Sequence, residues 1–366
     1  MIHLDHNATT PVHPDVLAAM LPWFTERFAN PSSPHPDGVA AREAIETARA
    51  AVAGLLGAPA HTVVFTGGGT EASNLAIRGV MARCPGRPLC IGTLEHPATR
   101  EPALYLERQG HPLAWLPAGP SGAVHADTPL PDGLALVSLM HANNETGVLQ
   151  PVRAIADRAH ALGALVHTDA AQSVGKVPVD VDALGADLLT VAGHKLYGPK
   201  GVGALYVREG VELEPLVRGA GHERGLRPGT ENVPAIVGLG AACALASREL
   251  DARIARDTAL VEALWAALQA GIPGIRRTGD GPRLPNTLHV RVPGSGRALL
   301  ARCPEIAAGT GSACHAGHET PSPVLLAMGI EPTDALGALR LTVGRATSAP
   351  DVQRAAQMLV AAYSVS

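Results

Sequence analysis

Aromatic side chains are scarce in this 366-residue chain, with Phe, Trp and Tyr together making up 3% while apolar residues reach 46%. A core of that kind is built from Ala, Val and Leu, which suits helices packed closely on a Val/Leu-rich sheet. Lysine is scarcer still: Lys176, Lys195 and Lys200 are the only three, and Arg carries the rest of the positive charge. A codon bias toward arginine accounts for the scarcity. Even so, a lysine that survives such replacement points to amine chemistry, which a guanidinium cannot perform. The net charge is −4 and no long run of Lys or Arg occurs, which argues against nucleic acid or an anionic membrane as the main partner.

The five cysteines, Cys84, Cys90, Cys243, Cys303 and Cys314, are odd in number and scattered, so no disulfide framework is expected. No stretch reaches about 18 uninterrupted apolar residues, and the start "MIHLDHNATTPVHP" lacks the basic-then-apolar pattern of a signal segment. A soluble, cytoplasmic protein is the expectation.

The length suits one large and one smaller domain. Residues 37–57 carry helical periodicity with an acidic start and a glycine stop. After them, "HTVVFTGGGTEASNLAIRGV" reads as strand, glycine turn and helix. Short apolar runs at 88–93, 134–140, 164–170, 186–193 and 202–208 then alternate with helical stretches such as 151–163. This pattern indicates an α/β fold with a mostly parallel, helix-covered sheet. Residues 210–233 are irregular, helical patterns occupy 234–271, and short strands such as "TLHVRV" and "ALRLTV" follow. We therefore expect a large α/β domain over 12–249 and a small α+β domain over 250–366 joined by residues 1–11.

Three pieces carry chemistry. The "FTGGGTEASN" turn exposes backbone N–H groups at a helix start, a seat for phosphate, with the Thr70 hydroxyl as a further donor; taken alone this signal is weak. "HTDAAQS" places Asp169 at the end of an apolar strand, where a carboxylate either keeps a pyridinium nitrogen protonated or caps the next helix. "TVAGHKLYGPKG" puts Lys195 after another apolar strand as a Schiff-base candidate, with Lys200 and Lys176 read as surface residues. Together, a phosphate seat, a carboxylate and an amine are the contacts that pyridoxal 5′-phosphate needs.

The loudest stretch is "GTGSACHAGH" at 309–318. Cys314, His315 and His318 offer three metal ligands at best, fewer than a closed site requires. A buried thiol is the plain alternative, but the glycine-rich, polar setting suits an exposed, mobile loop. There a thiolate beside an imidazole can act as a nucleophile.

From "LDHNATTPVHPDV" to "LRLTVGR" the chain resembles the cysteine desulfurases, pyridoxal-phosphate enzymes of the class V aminotransferase type with fold type I. The stretches carrying the resemblance include "VVFTGGGTEASNLAIRG", "EHPA", "HANNETGVLQPV", "HTDAAQSVGKVPVDV", "GHKLYGPKGVGALYVR", "GHERGLRPGTEN" and "GSACH". "NPSSP", "RPGTEN", "RLPNT" and "CHAGHETPSPVLL" look closest to the selenocysteine lyase branch.

The resemblance implies Lys195 as the Schiff-base lysine, Asp169 as partner of the pyridine nitrogen and His96 as the residue stacked on the ring. It implies Gly69, Thr70 and His194 at the phosphate, joined by Thr230 from the other subunit of a homodimer. Asn144 and Gln172 would meet the phenolate side, Arg340 the substrate carboxylate, and Cys314 the sulfur; Arg345 would be structural. One departure is Ala192, where desulfurases commonly carry a phosphate-binding serine, a loss of about 1–3 kcal/mol. The lyase branch also lacks that hydroxyl.

The implied reaction is L-cysteine to L-alanine with a persulfide on Cys314 and a sulfur-acceptor protein downstream. Selenocysteine lyase is the alternative, and an inactive scaffold or a transaminase is a remoter one. The pathway served (iron–sulfur clusters, thio-modified tRNA or selenium recycling) stays open.

Overall fold

The computed structural model describes residues 1–364 except 312, 316 and 317, and describes no side chains over 312–319. After β1 (Ile2–His3), seven strands build the main sheet: β2 (Val63–Thr66), β3 (Leu89–Gly92), β4 (Leu113–Leu116), β5 (Leu136–Ser138), β6 (Leu165–Asp169), β7 (Leu188–Ala192) and β8 (Gly203–Val207). Their order is β2-β8-β7-β6-β5-β3-β4, and β8 alone runs antiparallel to its neighbours. This is the mostly parallel α/β sheet that the apolar runs indicate.

Helices cover both faces. Val63 and Phe65 point into a core shared with the Pro36–Leu56 and Val233–Gly271 helices, while Val64 points into one shared with the Gly69–Met81 helix. Burial on both sides is why these strands read as continuous apolar runs instead of alternating ones. The strand least visible in sequence is β4, which lies at the sheet edge with Trp115 exposed. Because β2, β3, β5, β6 and β7 point the same way, their C-terminal ends converge at one end of the sheet, where open α/β sheets hold ligands.

Six short strands follow: β9 (Arg276–Arg277), β10 (Thr287–Arg291), β11 (Ile306–Ala307), β12 (Ala313–His315), β13 (His318–Thr320) and β14 (Ala338–Thr342). β10 sits between β9 and β14 in an antiparallel sheet, and β1 pairs in parallel with β11. The backbone of β12 pairs antiparallel with β13, so the segment expected as an exposed, mobile loop contains two short paired strands. Ile2 and Leu4 pack with Leu264, Leu288, Leu339 and Leu341 in a second core, which closes the first residues onto the last third of the chain.

The Val233–Gly271 helix joins the two cores. Its Ile236, Leu239 and Cys243 pack on the main sheet, and its Leu260, Leu264 and Leu268 pack in the second core. Residue 250 lies inside this helix. Length and composition alone would let the helix cross a membrane, but these apolar residues are buried within the fold.

The helix approaches Pro36–Leu56 so closely that a Cβ on Gly240 would lie 2.5 Å from Ala48 Cα. Gly240→Val is therefore expected to overpack this contact and destabilise the fold by about 1–3 kcal/mol. A fall in the urea midpoint with an unchanged slope is the measurement, and an unchanged midpoint would refute the close-packing account.

Candidate active site

A cavity of about 360 Å³ opens at the C-terminal end of the sheet. Its wall brings together Gly69, Thr70, His96, Asn144, Asp169, Gln172, His194, Lys195 and Arg340, nine of the residues singled out in sequence, and adds Asn7 and Ala8. Thr230 is exposed and lies outside this cavity. The Cys314 side chain lies outside the described residues. A larger open cleft of about 640 Å³ around Arg49 and Glu223 carries no lysine, and those two side chains are paired with each other at 2.8 Å.

Each wall residue is placed by a strand end. β2 runs into Gly67 and Gly68, and the Gly69–Met81 helix begins at once, turning its first N–H groups toward the cavity mouth. Gly68 has φ 148°, which side-chain-bearing residues rarely adopt, and a Cβ on Gly69 would sit 3.1 Å from Ala192 Cβ. The backbone thus comes up close to the end of β7. Asp169 ends β6, buried, with Oδ1 accepting the Ala171 N–H at 2.9 Å. Turns rather than a helix follow it, so the carboxylate is not a helix cap. Burial raises its pKa, opposed by the Ala171 N–H, His96 and Lys195.

Lys195 sits in a single 3₁₀ turn after β7, its Nζ donating to Asn7 O at 2.7 Å and Ala8 O at 2.8 Å. Burial, with the positive charge of Arg340, lowers its pKa to about 8, although Asp169 and Asp5 pull the other way. The turn is held by Tyr197, which adopts a left-handed φ of 68° between the guanidinium groups of Arg253 and Arg345 and accepts the Arg345 N–H at 2.7 Å. Arg345 also pairs with Glu249. It stands in the framework around Lys195, away from the cavity wall.

His96 caps the Pro97–Arg108 helix, Nδ1 accepting the Ala98 N–H at 3.1 Å, which leaves Nε2 to carry the proton of the neutral ring. Burial of the ring and the nearby Lys195 lower its pKa, against Asp169. His194 hydrogen-bonds Thr9 Oγ1 through Nδ1 at 3.1 Å, and burial with Lys195, Lys200 and Lys176 takes its pKa down to about 4. Arg340 donates to Asp5 at 2.7 Å and to the Asn144 carbonyl at 3.1 Å, while its buried Nε has no partner among the described residues.

Three participants escaped the sequence reading. Lys176, expected at the surface, is 5% exposed, its amine inside the wall behind Gln172. The correction has a physical cause: Gln172 and Asn7 supply two acceptors, which an isolated buried amine would lack. Asn7 belongs to the quoted "LDHNATTP" stretch, but nothing in its residue type announces that its carbonyl holds a lysine. Glu145, next to Asn144, is buried and accepts the Ser322 hydroxyl at 2.6 Å. Its Oε2 also lies 2.3 Å from where a Gly311 Cβ would be. Gly311 and Ser322 flank the segment bearing Cys314, so one carboxylate touches both ends of it.

A glycine-led helix start, a buried carboxylate and a depressed lysine thus meet at the ends of parallel strands in one cavity. The chain belongs to the class-V aminotransferase family, which it matches over residues 2–355. A cysteine desulfurase of Nostoc sp. is 41% identical, over 98% of this chain and 92% of its own length. A solved NifS-like protein superposes with a TM-score of 0.93 at 32% identity, covering both chains fully. The solved structure of SspA in complex with cysteine gives 0.84 at 35% identity, over 94% of this chain and 99% of SspA. These likenesses bear out the desulfurase expectation and do not favour the selenocysteine lyase alternative, since the curated relative is named a cysteine desulfurase.

Burial raises the Glu145 pKa to about 7, opposed by the Ser322 hydrogen bond and Arg340. The folded state therefore holds this proton more tightly than the unfolded chain, and stability is lost as pH rises from the unfolded carboxylate value through 7. Glu145→Gln keeps an acceptor for Ser322 without the titration. The variant should gain stability over wild type between pH 5 and 8 by on the order of 3 kcal/mol, read from melting at each pH. A constant difference across that range would show that Glu145 is not the titrating group.

Proposed function

We propose that the chain is a pyridoxal-phosphate-dependent cysteine desulfurase, converting L-cysteine to L-alanine and taking the sulfur on Cys314 as a persulfide. The observation that carries this reading is the placement of the Lys195 amine, lowered to about 8, in one cavity with the buried Asp169 carboxylate and the glycine-led helix start. The donor set fits the cofactor: N–H groups of the Gly69–Met81 helix with Thr70 and His194 for the phosphate, Asp169 for the ring nitrogen, His96 over the ring, and Asn144 and Gln172 on its phenolate side. Ala192 leaves one hydroxyl out of the phosphate seat, and the close approach of Gly69 brings backbone there instead. Bound in this way, pyridoxal phosphate supplies a carbonyl for the lysine amine and an electron sink beside the substrate Cα.

The chain's own groups do the rest. A lysine with a pKa near 8 is partly neutral at physiological pH, so Nζ can both hold the cofactor and, once displaced by substrate, carry the Cα proton. The carbonyls of Asn7 and Ala8 give the freed amine a fixed resting place. Arg340, a residue of the cavity wall whose Nε has no partner among the described residues, receives the substrate carboxylate. The Cys314 thiolate attacks the substrate sulfur; the Cβ–S bond breaks as the S–S bond forms, and the products are L-alanine and the Cys314 persulfide. No outside oxidant enters this balance.

The structure of SspA holding cysteine supports the same substrate for this chain. Thr230, exposed in one copy, suits a homodimer in which it reaches the partner's cofactor, and a sulfur-acceptor protein is the natural recipient of the persulfide. We place this activity in the cytoplasm.

Purified protein should be yellow, and Lys195→Ala should lose the visible imine band together with activity, by more than about a thousandfold in kcat. Cys314→Ala should keep the band and its response to L-cysteine while alanine formation falls at least about a hundredfold. A colourless wild type sinks the cofactor assignment. Full alanine formation in Cys314→Ala removes the persulfide step.

A further inference from the structure

Lys176 has no part in the reaction described above, yet it is as buried as the core around it. Its amine donates to Gln172 Oε1 at 2.8 Å and Asn7 Oδ1 at 3.0 Å. Both acceptors belong to residues of the cavity wall. Burial, with the charges of Lys195, Arg253 and Arg340, drives its pKa well below the ordinary lysine value, and Asp257 opposes them. A Met or Leu would fill this space without that cost, so the amine is there for its donors.

What those donors decide is the direction of an amide. Gln172 can present its side chain in two orientations of equal shape, with oxygen and nitrogen exchanged. In its protonated form the Lys176 amine has three N–H donors and no acceptor, so it pairs only with the amide oxygen. The side facing Lys176 must therefore be Oε1. Nε2 is then turned the other way, where it donates to Asn7 O at 3.0 Å and keeps a second hydrogen. Asn7 cannot shift to accommodate a flipped amide. Its Oδ1 also accepts from Asn286 at 3.1 Å, its Nδ2 donates to Thr287 at 3.0 Å, and its backbone N–H donates to Thr342 at 3.1 Å. The Asn7 carbonyl that receives Gln172 also receives Lys195.

We propose that Lys176 is a positioning residue that locks the Gln172 amide with its NH₂ group toward the Asn7 carbonyl and the cofactor cavity. The inference rests on the cofactor reading above and adds to it the residue that decides what Gln172 can donate. Without Lys176 the amide loses one of the two contacts that orient it and keeps only the Asn7 carbonyl, and a flip would turn its oxygen toward the cavity and toward Asn7 O.

The test is a double-mutant cycle on cofactor affinity, using Lys176→Met, Gln172→Ala and the double variant, each stripped of cofactor and titrated with pyridoxal phosphate by visible absorbance. Lys176→Met is expected to weaken binding about tenfold in the native background, the scale of one hydrogen bond to a charged acceptor. In the Gln172→Ala background the same change should matter less than about twofold, because the group it acts through is gone. The pH midpoint of the visible band should move in both single variants and no further in the double, a coupling that loss of packing alone would not produce.

Equal effects of Lys176→Met in the two backgrounds would overturn the proposal, as would an unchanged dissociation constant in the single variant. Should Lys176→Met fail to fold, Lys176→Gln, neutral and shorter, completes the same cycle with the same criterion. A wild type that takes up no pyridoxal phosphate overturns the cofactor reading and this proposal together. Normal uptake with additive substitutions overturns the role of Lys176 alone.

Discussion

The backbone carbonyl of Asn7 receives both the Lys195 amine and the Gln172 amide, and the site is organised around that oxygen. It belongs to a segment only a few residues from the N-terminus, far in sequence from every residue it serves. The segment is held from several sides: β1 pairs with β11, Asn7 bonds Asn286, Thr287 and Thr342, and Thr10 accepts the Tyr197 N–H at 2.8 Å. Both cores therefore fix the oxygen on which the lysine rests. A carbonyl is well suited to this task, because it accepts two donors and carries no charge that would restore the lysine to full protonation.

Around that point the electrostatics favour neutral nitrogen. Burial lowers Lys195, His96 and His194 together, and raises Asp169 against them. A second layer behind the wall is polar but closed: His167 bonds Ser138 at 2.7 Å and Thr190 at 3.0 Å, and burial takes its pKa to about 3. These bonds span β5, β6 and β7 and stiffen the strand ends that carry Asp169 and Lys195. On the other side of the cavity, Glu145 touches Gly311 and Ser322 at the two ends of the Cys314 segment.

Much of this was legible in the chain. Strand after strand appeared as an apolar run because burial on both faces leaves no polar alternation, and the glycine turn, Asp169 and Lys195 stood out because each ended such a run. β4 was missed where one edge is exposed and the run is short. Lys176 was misread for a different reason. Sequence position and charge argue for the surface, and only the presence of two acceptors, one of them about 170 residues away, makes its burial tolerable. The selenocysteine lyase alternative rested on a few short scattered segments, whereas the likeness to a curated cysteine desulfurase runs along nearly the whole chain.

By itself, the sequence determined the α/β class, most of the strands and helices, and the inventory of reactive groups, since these follow from periodicity, turn residues and chemistry that are local to the chain. Tertiary structure decided which of those groups meet. It turned five strand ends to one edge, set the Asn7 carbonyl beneath Lys195, buried Lys176 behind Gln172, and placed Glu145 between Gly311 and Ser322. Most of these contacts depend on partners more than a hundred positions away, as Asn7 is from Lys176 and Lys195, and hydrogen-bond geometry and desolvation act on distance in space, which no local pattern encodes.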